Sequence, residues 1–220
     1  MPKEIDLAYM PESTRILFNK LQALNFIQKY SLVGGTALSI QMKHRQSEDL
    51  DFIYDNEILN LNSIKRSIHN AFNDYQIIRQ DGDYQIDFLI NNCKLTFFSK
   101  NAIQINFNVK DYTFLFGKIN IAKIDIIAVL KLVAISQRNT IRDYYDLFYI
   151  SKNIISLSDI ISKCKNLLPN LSPITYSETL VYTKDILEDD LSNHLKPKIN
   201  VTKQEISEYF INELKIAMIK

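Results

Sequence analysis

The sequence predicts an α+β fold whose second half is helical. Two patterns carry that prediction. Short apolar runs bounded by turn residues crowd the stretch up to about residue 122, whereas helical spacing of apolar residues dominates from Ile124 onward. A third feature marks where function concentrates: Gly34-Gly35 stands between a short strand and a short helix in a chain with four glycines among 220 residues.

Taken in order, residues 11–29 read as a helix, with Leu17, Phe18, Leu21, Leu24 and Phe26 roughly on its period. Tyr30 to Val33 is a short strand entering the double glycine, and Thr36 to Lys43 a short helix leaving it. Asp49 to Tyr54 is an acidic strand, and Ser63 begins a helix running to about Tyr75. Tyr84–Ile90 and Cys93–Ser99 are strands joined by Asn91-Asn92, a pair suited to a two-residue hairpin turn. Residues 102–122 hold further short strands and loop. Helices are expected over 125–138, 141–152, 157–167, 175–188 and 203–218, with Pro169, Pro173 and Pro197 between them. No internal repeat or low-complexity linker is visible. The expected division is a core domain over 1–122 and a helical domain over 123–220.

Composition narrows the function classes. A hydrophobic fraction of 46% and a charged fraction of 23% are ordinary for a globular protein. A net charge of +1 gives no bulk attraction to nucleic acid, so any such surface is a local patch. Met1 to Arg15 lacks a signal-peptide layout, and the best apolar stretch, Ile124 to Ile135, is too short to span a bilayer and carries Lys131. Cys93 and Cys164 show neither metal-ligand spacing nor a disulfide framework. The expectation is a cytoplasmic protein with reduced thiols and no membrane contact.

Chemistry enters at two clusters. In the first, glycine removes the Cβ that blocks close backbone approach, and N–H groups leading into a helix start form an anion site. About a dozen residues later comes Asp49-Leu50-Asp51. Strand alternation points both carboxylates one way and Leu50, Phe52 and Tyr54 the other. Phosphate cradle and paired acids together read as metal-dependent nucleotidyl transfer. In the second, Lys131 interrupts a helix that is apolar nearly all round, which sends its ammonium toward a cleft holding something anionic. Asp143 and Asp146, three apart, share a helical face. Alternatives stay open. Asp143 is either an active-site acid or, with Thr140, part of a capping box; Asp146 either acts in the site or pairs with Arg142; Lys131 either faces the cleft or snorkels to solvent. His44, His69 and His194 form no ligand set.

The two clusters together resemble the AbiEii/AbiGii-type nucleotidyltransferase toxins, including the MenT toxins, within the DNA polymerase β-like superfamily. The residues that carry the resemblance are Gly34-Gly35-Thr36-Ala37-Leu38, His44-Arg45-Gln46-Ser47-Glu48-Asp49-Leu50-Asp51, Lys131, and Arg142-Asp143-Tyr144-Tyr145-Asp146-Leu147, in that order. The match spans roughly residues 30–150. It implies a nucleotidyltransferase core with a mixed sheet and flanking helices, a helical domain after it, and a nucleotide bound between them. It implies Gly34, Gly35, Thr36, Arg45, Ser47 and Lys131 at the nucleotide, Asp49 and Asp51 as ligands of Mg²⁺ or Mn²⁺, and Asp146 as an active-site acid beside Asp143. Ser47 matches a serine that accepts phosphate in some relatives. The implied reaction moves NMP from an NTP to RNA, in known cases the 3′ end of tRNA, and a cognate antitoxin is the implied partner.

One departure concerns a third metal-binding acid that many members of the superfamily carry on a later strand. Here that position is Thr96. With a two-residue turn at Asn91-Asn92, Asp87 lies opposite Thr96 and either supplies a third carboxylate or forms a plain cross-strand pair. Competing functions are transfer to a small molecule or a protein hydroxyl, Ser47 included, and a degenerate protein that binds nucleotide or a partner without turnover. The lysines at 163, 165, 196, 198 and 203 are candidate RNA contacts.

Overall fold

A computed structural model describes residues 5–183, Ile186 and 195–219. The chain separates into two compact units between Lys123 and Ile124.

The first unit holds α1 (Glu12–Gln22), β1 (Ser31–Val33), α2 (Gly34–Met42), β2 (Leu50–Tyr54), α3 (Leu61–Ala71), β3 (Gln76–Asp81), β4 (Gln85–Ile90), β5 (Cys93–Ser99), β6 (Thr113–Phe116) and β7 (Ile119–Ala122). They form one mixed sheet in the order β3-β4-β5-β2-β1-β7-β6. The central strand β2 runs antiparallel to β1 and parallel to β5, and β1 runs parallel to β7. Register puts Leu32, Phe52, Phe97 and Ile86 side by side on one face, all fully buried. Phe52 and Phe97 stack there with ring centroids 5.6 Å apart. The opposite face of the same four strands carries Val33, Asp51, Thr96 and Asp87. One face thus makes core and the other makes a site.

Local chemistry explains most boundaries. Asn91 and Asn92 take φ of 50° and 60°, the left-handed pair that a tight hairpin demands and asparagine tolerates. Asn60 accepts from the Ser63 amide at 3.0 Å, so α3 starts at Leu61, two residues before the Ser63 expected from the sequence. The first helix ends at Gln22, and Asn25–Lys29 winds as a 3₁₀ segment that carries Ile27 into the core. Helix α2 begins at Gly34, so the glycines are its first residues and not a turn ahead of it. Helix α3 ends at Ala71, short of the Tyr75 expected, and strand β3 fills a stretch before Tyr84 to which the sequence assigned no element; all six of its residues are exposed, so no burial alternation marks it. Its pairing with β4 slips between Ile77 and Arg79.

The second unit holds α4 (Ile124–Gln137), α5 (Ile141–Asn153), α6 (Leu157–Leu167), α7 (Pro173–Val181) and α8 (Lys203–Ile219). Helix α4 packs against α5, α6 and α7, and α8 against α5, α6 and α7. A helix surrounded by three others has no polar side, which is why Ile126, Ile127, Ala128, Val129 and Leu132 are all fully buried. Helix α6 matches its expected span, with Ser156 capping it through the Asp159 amide at 3.2 Å. Helix α7 starts two residues earlier than expected because Pro173 occupies its first turn, where a missing N–H costs nothing. The helix ends at Val181, where Tyr182 leaves helical geometry, and not at the expected 188; residues 184, 185, 187 and 188, and His194, lie outside the described residues.

Candidate active site

Gly34 follows the last residue of β1 with φ of +73°, a backbone state closed to most residues, and so turns the chain directly into α2. A Cβ there would lie 2.8 Å from Oδ2 of Asp51, the residue paired with Val33 on the next strand. A Cβ on Gly35 would lie 2.5 Å from Nη2 of Arg45 and 2.9 Å from Oγ of Ser47. The double glycine therefore lets one helix start press against a carboxylate on one side and against Arg45 and Ser47 on the other. No side chain of Val33 caps α2, and the leading amides of a helix have no intrahelical acceptor. An uncapped helix start of this kind attracts anions.

Asp49 and Asp51 are both half-buried. Asp49 sits one residue before β2 and not inside it. Lys94 approaches Asp49 at 3.8 Å, a loose pair with both side chains 39% exposed. Arg45, 3% exposed, donates from Nη1 to the Gln46 carbonyl at 2.9 Å. Thr36 and Ser47 have their hydroxyl oxygens 2.9 Å apart as a hydrogen-bonded pair, and Thr36 also donates to the Asp49 carbonyl. Asp51, Thr96 and Asp87 stand in line across β2, β5 and β4, so Asp87 does lie opposite Thr96. Asp87 is 5% exposed and accepts from Gln85 Nε2 at 2.8 Å. The Thr96 hydroxyl between the two acids is buried, with no hydrogen-bond partner among the described residues.

A divalent cation suits this face. Among the described residues no three His, Cys, Asp or Glu side chains gather as a metal cluster. Mg²⁺ needs no such cluster, since it takes one or two carboxylates and fills its shell with water and substrate phosphate. Asp49 and Asp51 would supply the carboxylates, a Cβ on Gly34 would crowd Oδ2 of Asp51, and the buried Thr96 hydroxyl has no hydrogen-bond partner among the described residues.

The second unit carries its own cluster. Lys131 does not emerge into solvent: it is 6% exposed, and its Nζ lies 2.7 Å from Oδ1 of Asp143 and 2.6 Å from Oδ2 of Asp146. Arg138 adds a bond from Nε to Oδ2 of Asp143 at 2.9 Å, while its side chain stays 65% exposed. Burial alone would push the Asp143 carboxyl up, but the charges of Lys131 and Arg138, with hydrogen bonds from Lys131 and Thr140, hold it well below its ordinary value. The capping box does not form: Thr140 gives its hydroxyl to Oδ2 of Asp143 at 2.7 Å and caps no backbone amide. Of the lysines expected on RNA, Lys163 is paired with Asp125 and Lys203 reaches the Ile186 carbonyl at 3.5 Å.

Residues 15–172 match the family model described as nucleotidyl transferase AbiEii toxin, type IV toxin–antitoxin system. The chain belongs to this family. An uncharacterized protein of Aquifex aeolicus is 28% identical to it over 92% of this chain and 98% of its own. Two solved structures share the fold of this AbiEii member. MenT4, a nucleotidyltransferase toxin from Mycobacterium tuberculosis H37Rv, has a TM-score of 0.55 at 12% identity over 94% of this chain and 88% of its own. JHP933 from Helicobacter pylori has a TM-score of 0.54 at 19% identity over 94% and 93%. The mixed-sheet nucleotidyltransferase fold followed by helices is the one the sequence led us to expect.

Three residues of these two clusters in the AbiEii member, one cluster in each unit, escape sequence reading. Thr14 on α1 donates to the Glu48 carbonyl at 2.6 Å, and Cys93 on β5 donates to the same oxygen from Sγ at 3.1 Å. Neither belongs to a motif, and only long-range packing brings them there. Arg138 precedes the Arg142-Asp143 motif, and nothing in the spacing assigned it a role.

Proposed function

We propose that this protein transfers NMP from an NTP to an RNA acceptor, the 3′ end of tRNA being the leading candidate, and that it acts in the cytoplasm opposite a cognate antitoxin. The observation that carries this reading is the Asp51 carboxylate held against the Gly34 backbone at the head of an uncapped helix. That geometry supplies an anion cradle and a cation ligand within one turn of chain. Residues 1–122 serve as the nucleotidyltransferase core and 123–220 as the helical domain.

The backbone amides at Gly34, Gly35 and Thr36 would hold NTP phosphates, with the Arg45 guanidinium and Ser47 behind them. Asp49 and Asp51 would hold Mg²⁺ or Mn²⁺, which when bound would supply Lewis-acid charge at the phosphates. Asp51 or Asp87 would take the proton of the attacking hydroxyl, Asp87 working across Thr96 because two strand spacings, about 10 Å, separate its backbone from that of Asp51. We assign Lys131 to the triphosphate, with Arg138 beside it as the exposed cation, Asp143 holding both and Asp146 holding Lys131. Asp146 is the acid of this cluster that the motif assigns to the active site.

Each α-labelled NTP incubated with the protein, total RNA and divalent metal tests the reading. Label is expected in RNA with wild type and not with Asp51→Asn of equal solubility. Label in protein or a small product instead would change the acceptor. Nucleotide binding without label transfer, together with growth arrest undiminished in Asp51→Ala, would show a degenerate binder.

A further inference from the structure

Two consecutive carbonyls lead into the acidic pair, and side chains from three different elements grip them. The Glu48 carbonyl accepts from Thr14 on α1 at 2.6 Å and from Cys93 on β5 at 3.1 Å. The Asp49 carbonyl accepts from Thr36 on α2. These carbonyls belong to the loop just ahead of β2, whose ladder begins at Leu50, so side chains must supply partners that the sheet does not. Thr14 and Thr36 are each 1% exposed and Cys93 is 2% exposed. None of the three side chains is on the surface where a nucleotide would lie.

We propose that Thr36, with Thr14 and Cys93, forms a carbonyl clamp that aims the Asp49 and Asp51 carboxylates, and that the Thr36 side chain positions these acids instead of binding phosphate. This inference rests on the proposed reading of the same site and assigns the motif threonine a different task within it. Rotation of the 48–49 and 49–50 peptide planes would swing both carboxylates. Hydrogen bonds from buried groups to those carbonyls resist such rotation, as outer partners of metal ligands do elsewhere. Ser47 closes the arrangement by bonding the Thr36 hydroxyl at 2.9 Å, which links the clamp to the residue against Gly35.

Thr36→Val keeps the shape and removes the hydroxyl; Thr36→Ser keeps the hydroxyl. Amide hydrogen exchange over residues 47–50 reads the clamp without any activity. Mn²⁺ calorimetry with a non-hydrolysable NTP analogue reads its consequence. Thr36→Val should speed exchange at least tenfold there and weaken Mn²⁺ about tenfold, with the NTP KM within threefold of wild type and kcat reduced. Thr36→Ser should restore all of these to within about threefold. Thr14→Val should move exchange and Mn²⁺ affinity in the same direction, and it stands in if Thr36→Val does not fold. Unchanged exchange, or faster exchange with unchanged Mn²⁺ affinity, overturns the clamp. A raised NTP KM with unaltered kcat also overturns it, by making Thr36 a phosphate contact. A wild type that binds no Mn²⁺ refutes the metal site itself, and exchange alone then decides the clamp.

Discussion

A Cβ placed on Gly34 would come within 2.8 Å of Oδ2 of Asp51. The elbow and the acid are therefore one object, and a methyl group is enough to separate them. Gly34→Ala should lose about 1–2 kcal/mol from its positive φ and more than tenfold in transfer rate. Gly82→Ala provides the comparison: its φ is +47°, but its Cβ would meet only ordinary contact at 3.5 Å. That variant should lose stability and keep its transfer rate, as urea unfolding and labelled-NTP assays would show.

Lys131 neutralises two buried carboxylates. Lys131→Met removes the ammonium shared by Asp143 and Asp146, 2% and 0% exposed, and leaves Arg138 as the cation on Asp143. A cost of about 3–5 kcal/mol is expected for breaking such a pair, measured by urea denaturation at neutral pH. Adding Asp146→Leu to Lys131→Met should recover part of that loss. No recovery would mean that the charges are not the cause.

Acid should find the same cluster. The Asp143 carboxyl titrates at about 2 when folded against 3.8 ordinarily. Its folded value is the lower one, so its contribution to stability is complete above the ordinary value and is lost as pH falls through the folded one. Unfolding free energy should therefore drop between pH 4 and pH 2, and Asp143→Asn should flatten that limb. An unaltered acid limb in Asp143→Asn would assign the acid sensitivity to other groups.

The Thr96 hydroxyl is buried without a partner, a state that costs folding energy until something occupies it. Thr96→Val should therefore leave the protein equally stable or more stable by about 1 kcal/mol. If the hydroxyl serves the reaction, the same variant should transfer nucleotide more slowly. Gains in both stability and rate would make Thr96 an idle core residue.

Burial raises the thiols of Cys93 and Cys164 to about 11. Thiolate is the reactive form, so iodoacetamide at pH 8 should label neither in the folded protein and both in urea. Prompt labelling of Cys93 in the folded state would place the Glu48 clamp in motion.

How far the sequence alone could be read varies by residue. The Asn91-Asn92 turn fixed the register of β4 on β5, so Asp87 opposite Thr96 followed from local rules. The Gly-Gly and Asp-x-Asp motifs were equally plain, because glycine and paired acids are rare in an apolar setting. Strand β3 left no trace, since exposure on every residue erases alternation. The ion cluster was half legible: Lys131 on an apolar helix demanded a partner, but spacing could not say that Asp143 and Asp146 would be that partner. Thr14 and Cys93 were invisible, as they meet Glu48 across 34 and 45 residues of chain.

The open margin of the sheet has its own consequence. A regular exposed strand is a template on which a neighbouring molecule can add hydrogen bonds. Here the slip between Ile77 and Arg79 breaks the even spacing of donors and acceptors, and the Arg79–Asp81 pair at 3.3 Å puts charge on the rim. The slip and the charge pair thus both work against strand addition at this margin.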